Sequence, residues 1–239
     1  MHKTLLFLVG SLLAVQANGA KAGPNLIVNG DFGAGNTGFT SQYTFSPGNL
    51  GPANTYDVAS DPQADNGAWP NPGAAPGNGS ANMLIVNGGL VGDNIVWSET
   101  VSVTPNTNYD FSTYLNNLFS ASPATLEFSA NGAALGATFT AGPTVGAWAQ
   151  FFATFNSGAN SSVILSLVDT NTAFGGNDFA MDSVCFATGA TCGTGSPVGG
   201  TGTGTGAVPE PSTWAMMFAG FARLGFLGFK RARKGALPA

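Results

Sequence analysis

Tyr56, Asp57, Asp61, Asp65 and Trp69 lie close together in one stretch of the chain. Flat aromatic rings that stack on a sugar's apolar face, beside Asp or Asn groups that bond its hydroxyls, are the chemistry of carbohydrate recognition. A second reading of Trp69 stays open, because a large aromatic in a loop often plugs that loop. Trp97 and Trp148 have apolar neighbours in strand-like segments and are assigned to the core. Glu99 and Glu127 raise the question of hydrolysis, since cleaving a glycosidic bond needs two carboxylates at a suitable separation. Neither sits in a recognisable motif, and no catalytic residue is assigned. His2 is the only histidine, so a Ser-His-Asp triad, a Cys-His dyad and a His-ligated zinc site are excluded by inventory from the rest of the chain.

Charge narrows the classes further. Every Lys and Arg lies at Lys3, Lys21 or from Arg223 onward, whereas all twelve carboxylates lie between. A segment without cations cannot neutralise phosphates, so nucleic acid is excluded as a partner. It also has no salt bridges to draw on, and its fold must rest on packing and backbone hydrogen bonds. The acidity itself reads either as solubility or as cation binding.

The cations mark two ends that read as addresses. Residues 1–22 carry Lys3, an apolar core from Leu5 to Val15, and Ala20-Lys21-Ala22 as a small-x-small cleavage pattern, the signature of a secretion signal handled by the Sec machinery. Residues 193–207 form a Gly/Thr-rich spacer. Residues 208–239 begin with Pro209-Glu210-Pro211, continue through the apolar run 213–229, and end in Lys230, Arg231, Arg233 and Lys234. As a helix that run spans roughly 25 Å, and the cations after it place the C-terminus on the cytoplasmic side of an inner membrane. In an exported chain the neighbouring Cys185 and Cys192 are expected to form a disulfide closing a small loop.

The order of Pro209-Glu210-Pro211, apolar stretch and basic end resembles the PEP-CTERM sorting signal of Gram-negative bacteria. That resemblance implies recognition by an exosortase, cleavage near the motif, and a final place at the cell surface or outside the cell. Arg223 departs from the pattern, because such tails normally carry a small or apolar residue there; a charge near mid-membrane costs about 2.5–3.5 kcal/mol.

Between the ends, residues 23–192 show short apolar runs divided by turn residues, with no period of 3.6. Strands are expected over 26–28, 82–87, 95–103, 109–116, 125–130, 135–140, 147–155, 162–168 and 179–186. Trp97, Glu99, Val101 and Val103 share one strand face, and Ser98, Thr100 and Ser102 the other. Asn131-Gly132 signals a tight hairpin. The segment 46–80, rich in Pro, Gly and Asn, is expected to be a long loop on one face. The fold class is therefore all-β, a jelly-roll sandwich.

Asn25-Leu26-Ile27-Val28-Asn29-Gly30-Asp31-Phe32, the segments 96–103, 105–111 and 148–155, and Phe179-Ala180-Met181-Asp182-Ser183-Val184 together resemble the galactose-binding-like jelly rolls of carbohydrate-binding modules. The resemblance implies a structural calcium held in part by Asp31 and Asp182, although Gly33 stands where that family commonly has Glu. On the residues alone, Asp31 and Asp182 serve equally well as acceptors for turn amides. The expected function is a non-catalytic exported protein associated with exopolysaccharide or biofilm matrix through glycan binding. The alternative is a structural surface or matrix protein without a ligand site, with a glycan-active enzyme behind both.

Overall fold

The computed structural model describes residues 22–192, apart from Asn78 and Asp93. The segments expected to be a secretion signal, a spacer and a sorting tail lie outside the described residues, apart from Ala22. Among the described residues, no helix is long and apolar enough to cross a membrane.

Alternation of apolar and polar residues produces most of the strands. The chain order is β1 (Thr44–Phe45), β2 (Thr55–Ala59), α1 (Pro62–Asp65), β3 (Met83–Asn87), β4 (Ile95–Ser102), β5 (Asn108–Asn117), β6 (Thr125–Ala130), β7 (Ala133–Ala134), β8 (Phe139–Thr140), β9 (Trp148–Asn156), β10 (Ser162–Asp169) and β11 (Phe179–Ala187). They form two sheets. One has six strands in the order β1-β2-β3-β11-β5-β9; the other runs β4-β10-β6-β7, with β8 also pairing β6. Among the described residues, only the β1–β2 pair is parallel. Asn131 and Gly132, both at positive φ, make the expected turn between β6 and β7.

The core lies between the sheets. Trp97, Leu167 and Phe128 form one inward row across β4, β10 and β6. Phe128 stacks on Phe151 of β9 with ring centroids 4.5 Å apart, which joins the two sheets. With no Lys, Arg or His between residues 22 and 222, packing and hydrogen bonds carry the stability.

Three expectations change, the first being that of the strand expected over 135–140 only Phe139–Thr140 forms, as β8. Residues 26–28 are not a strand, because their amides go elsewhere: Leu26 N donates to Phe186 O, Ile27 N to Asn25 Oδ1 and Val28 N to Glu99 Oε1. The loop 46–80 is not wholly irregular, since it contains β2 and the single turn α1, capped by the Asp61 carboxylate.

Cys185 and Cys192 are joined by a disulfide that fastens the 3₁₀ turn Gly189–Cys192 to β11. Closing a loop this short constrains the unfolded chain by about 2–3 kcal/mol. Reduction with dithiothreitol is therefore expected to lower the urea midpoint by that amount divided by the m-value; an unmoved midpoint would show that the staple carries no stability.

Candidate functional site

The outer face of the six-stranded sheet, turned away from the core, carries the polar groups. Strand pairing places Asp57, Ile85, Ala180, Asn116 and Trp148 in one row across β2, β3, β11, β5 and β9. Asp182, Tyr114 and Gln150 form the next. The apolar members of this face need cover, and the segment 46–80 supplies it by crossing the sheet as a strap. Trp69 anchors the strap. It is 2% exposed, packs with Leu50, Met83, Ile85, Leu118 and Ala180, and donates its indole N–H to Asp178 Oδ2 at 3.2 Å. Trp148 Nε1 donates to Gly73 O at 3.1 Å and holds the strap from the other side.

Past the end of the strap the sheet face stays open. A groove of ≈370 Å³ lies there, lined by Tyr114, Gln150, Ser112, Asp31 and Ser183, with Pro76 and Gly77 on one side and the disulfide on the other. A bulge between Asp182 and Cys185 shapes its floor and puts Ser183 at φ +53°. Gly30 is required beside it, because a Cβ there would meet Val184 O at 2.2 Å.

Of the polar groups lining this groove, Ser112 Oγ is spent on Cys192 O and Asn25 on Val184 O, Ile27 N and Phe186 N, while the others keep capacity to spare. Among the described residues, neither the Tyr114 hydroxyl nor the Gln150 side-chain amide makes a hydrogen bond, and Ser183 Oγ is buried without a partner. Asp31 uses Oδ1 for the Gly33 amide. A ring face, an amide, a hydroxyl and a carboxylate oxygen thus converge on a small-molecule-sized space. Sequence reasoning did not select Tyr114 or Gln150. The signal was present, since Ser112, Tyr114 and Asn116 make a polar stripe opposite Phe111 and Leu115 on β5.

The residues expected to bind glycan lie elsewhere. Trp69 plugs the strap and offers no ring face to solvent. Tyr56 points inward on β2, packs against Phe39 and Phe45, and donates its hydroxyl to Asn36 Oδ1 at 3.0 Å. Asp57 is buried and receives the Gly48 amide at 3.0 Å, while Asp61 receives the Gln63 amide at 3.0 Å as the α1 cap. Burial and the neighbouring Asp57 charge push the Asp65 carboxyl up to about 6. These residues shape the strap; none of them lines the Tyr114 groove.

Asp31 and Asp182, expected to help hold a structural calcium, both accept backbone amides at turns. Asp182 is fully buried, with Oδ1 accepting the Ser183 amide at 2.6 Å and Oδ2 the Ala75 amide at 3.2 Å. Among the described residues, no group of three His, Cys, Asp or Glu side chains converges as a metal site requires. Both carboxylates anchor turns.

Glu99 and Glu127 cannot flank one bond. Glu99 faces the core on β4, with burial raising its carboxyl, while Glu127 lies on the outer face of the same sheet. Two further buried carboxylates stand near the start of β11. Burial pushes Asp169 up to about 7, against the amides of Asn171 and Thr125, and the Asp178 charge adds to it. Burial likewise pushes Asp178 up to about 6, against the Gly88 amide and the Trp69 indole.

No protein-family model and no curated protein matches the sequence. Among solved structures, the chain is similar to the CBM22-1 xylan-binding domain of Paenibacillus barcinonensis Xyn10C, at 17% identity over 73% of this chain and 99% of that one, with a TM-score of 0.49. It is also similar to a family 16 carbohydrate binding module, at 19% identity over 68% and 99%, with a TM-score of 0.37. A third likeness is to a Stig cyclase from Fischerella, at 17% identity over 70% and 97%, with a TM-score of 0.46. The sandwich assignment rests on the strand order, not on these likenesses.

Proposed function

We propose that this is an exported, non-catalytic glycan-binding protein, released or displayed outside the cell by exosortase processing of its tail and associated with exopolysaccharide. One observation carries the glycan reading: the groove beside Tyr114 gathers hydrogen-bonding groups that the fold itself does not use. Buried or half-buried polar groups left unpaired are costly unless a ligand or water satisfies them. A sugar offers what they lack, with C–H bonds for the ring and hydroxyls for the amide and carboxylate. The tail's ordered motif, apolar run and basic end support the sorting part of the proposal.

Charge selects among glycans. With carboxylates and no cations between residues 22 and 222, the protein repels polyuronates and sulfated chains and suits neutral ones. In affinity electrophoresis, the full-length chain is expected to be retarded by at least one of soluble xylan, glucomannan and dextran, and not by polygalacturonate. Tyr114→Ala should weaken the best retention about tenfold, a loss of about 1.4 kcal/mol. Retention of Tyr114→Ala and Gln150→Ala equal to wild type would overturn the assignment of this groove. No retardation by any of the neutral polymers would favour a structural protein without a ligand site.

A further inference from the structure

At the other end of β11 a second groove of ≈230 Å³ opens, and its lining differs from the first. Phe174 is 88% exposed and Leu90 51% exposed at its rim. Asn66, Asn87 and Asp178 face it, with the edge of Trp69 beneath. An exposed phenyl ring on a loose loop would be unremarkable, but this loop is held. Asn177 Nδ2 donates to Gly89 O at 2.9 Å and to Asn171 O at 2.6 Å, and Asn171 Nδ2 donates to Pro123 O at 2.9 Å. Gly88 lets the neighbouring loop close on it, since a Cβ there would meet the Asn177 side chain at 2.1 Å.

An apolar rim beside Asn87 Oδ1, which accepts no bond among the described residues, and Asp178, whose oxygens take the Gly88 amide and the Trp69 indole and keep further lone pairs, suits a pyranose ring, C–H face against the phenyl and hydroxyls towards those oxygens. A purely apolar partner would leave Asn87 Oδ1 desolvated and unpaired. A polyanion would meet Asp178, with no cation among the described residues to offset it. The occupant that fits is therefore a neutral sugar.

Five residues of β11 separate Asp178 in this groove from Ser183 in the first, about 16 Å at the rise of a strand. The strap stands between them. We propose that the second groove is an independent contact for neutral glycan, centred on Phe174, so that one molecule joins two polysaccharide chains. This rests on the glycan reading of the Tyr114 groove. Two sites on one body turn a binder into a cross-linker, because each polymer offers many repeats.

The test combines affinity electrophoresis with light scattering in mixtures of the full-length chain with soluble xylan, glucomannan and dextran in turn. For the polymer that retards it most, the wild type should raise scattering through a maximum as the protein-to-polymer ratio increases. Phe174→Ala, whose melting temperature should match wild type because the ring is exposed, keeps its retardation within threefold but loses the scattering maximum. Tyr114→Ala keeps a weaker retardation, and the double variant migrates freely. Scattering by Phe174→Ala equal to wild type overturns the second site, as does a Tyr114→Ala variant that already migrates freely. Wild type that is retarded without scattering sinks the cross-linking alone. Wild type that is never retarded sinks the cross-linking together with the Tyr114 groove.

Discussion

Trp69→Ala is expected to lower the unfolding free energy by about 3–5 kcal/mol, the range for deleting a fully buried large aromatic. Two losses combine. The cavity opens against Leu50, Met83, Ile85 and Ala180, and Asp178 Oδ2 loses the indole N–H that it accepts at 3.2 Å. Trp69→Phe separates them: it keeps most of the packing and should cost about 1–3 kcal/mol, mostly through the orphaned carboxylate. Urea titration of the three chains gives the comparison. An alanine variant as stable as wild type would mean that the strap is not pinned by this residue, and the division of the sheet face into two grooves would fall with it.

The second large effect is on pH. Asp169 and Asp178 carry folded pKa values of about 7 and about 6, against an ordinary 3.8. The native state thus holds more protons than the unfolded one between about pH 4 and pH 7, and the sign follows: stability falls as pH rises through that window. Below it both states are protonated and the penalty is absent; above it the penalty is complete. The melting temperature should be clearly higher at pH 5 than at pH 8, opposite to the usual acid sensitivity of proteins built on ion pairs. Asp169→Asn keeps an acceptor for the Thr125 and Asn171 amides while removing the charge. It should raise stability at pH 8 by about 2–4 kcal/mol, since each tenfold change in proton affinity on folding is worth about 1.4 kcal/mol, and it should flatten the pH dependence. Equal melting temperatures at pH 5 and pH 8 would contradict this burial of charge.

These effects bear on what a reader of the sequence can see. The strands β4, β6 and β10 were legible because half-buried strands alternate, and their pairing follows that alternation. β2 was not, because only Tyr56 and Val58 of Thr55–Ala59 turn inward, between proline-rich flanks. The candidate site was harder. An aromatic in a loop does not announce whether it faces water or a neighbouring sheet, and Trp69 faces the sheet. A clue lay in β3, Met83–Asn87, whose four consecutive apolar residues leave no polar face and so require cover on both sides. Something bulky from elsewhere had to supply it. Tyr114 was visible only as one member of a polar stripe, and its importance depends on where the strap stops. That boundary is a property of tertiary structure. Phe174, between Ala173 and two glycines, carried no periodic signal at all.

The strap walls both grooves, the first through Pro76 and Gly77 and the second through Asn66 and Trp69. Recognition and structural integrity are therefore coupled at its anchors and separable at its tips. A lineage, or an engineer, that altered Trp69 to retune one groove would disturb the other and the whole sheet face beneath. Exchanging Pro76 or Phe174 would change which sugar fits while the scaffold stays put, whereas Gly176 is fixed because a Cβ there would meet Ala121 O at 2.0 Å, so diversity in ligand preference is expected to collect at those two positions.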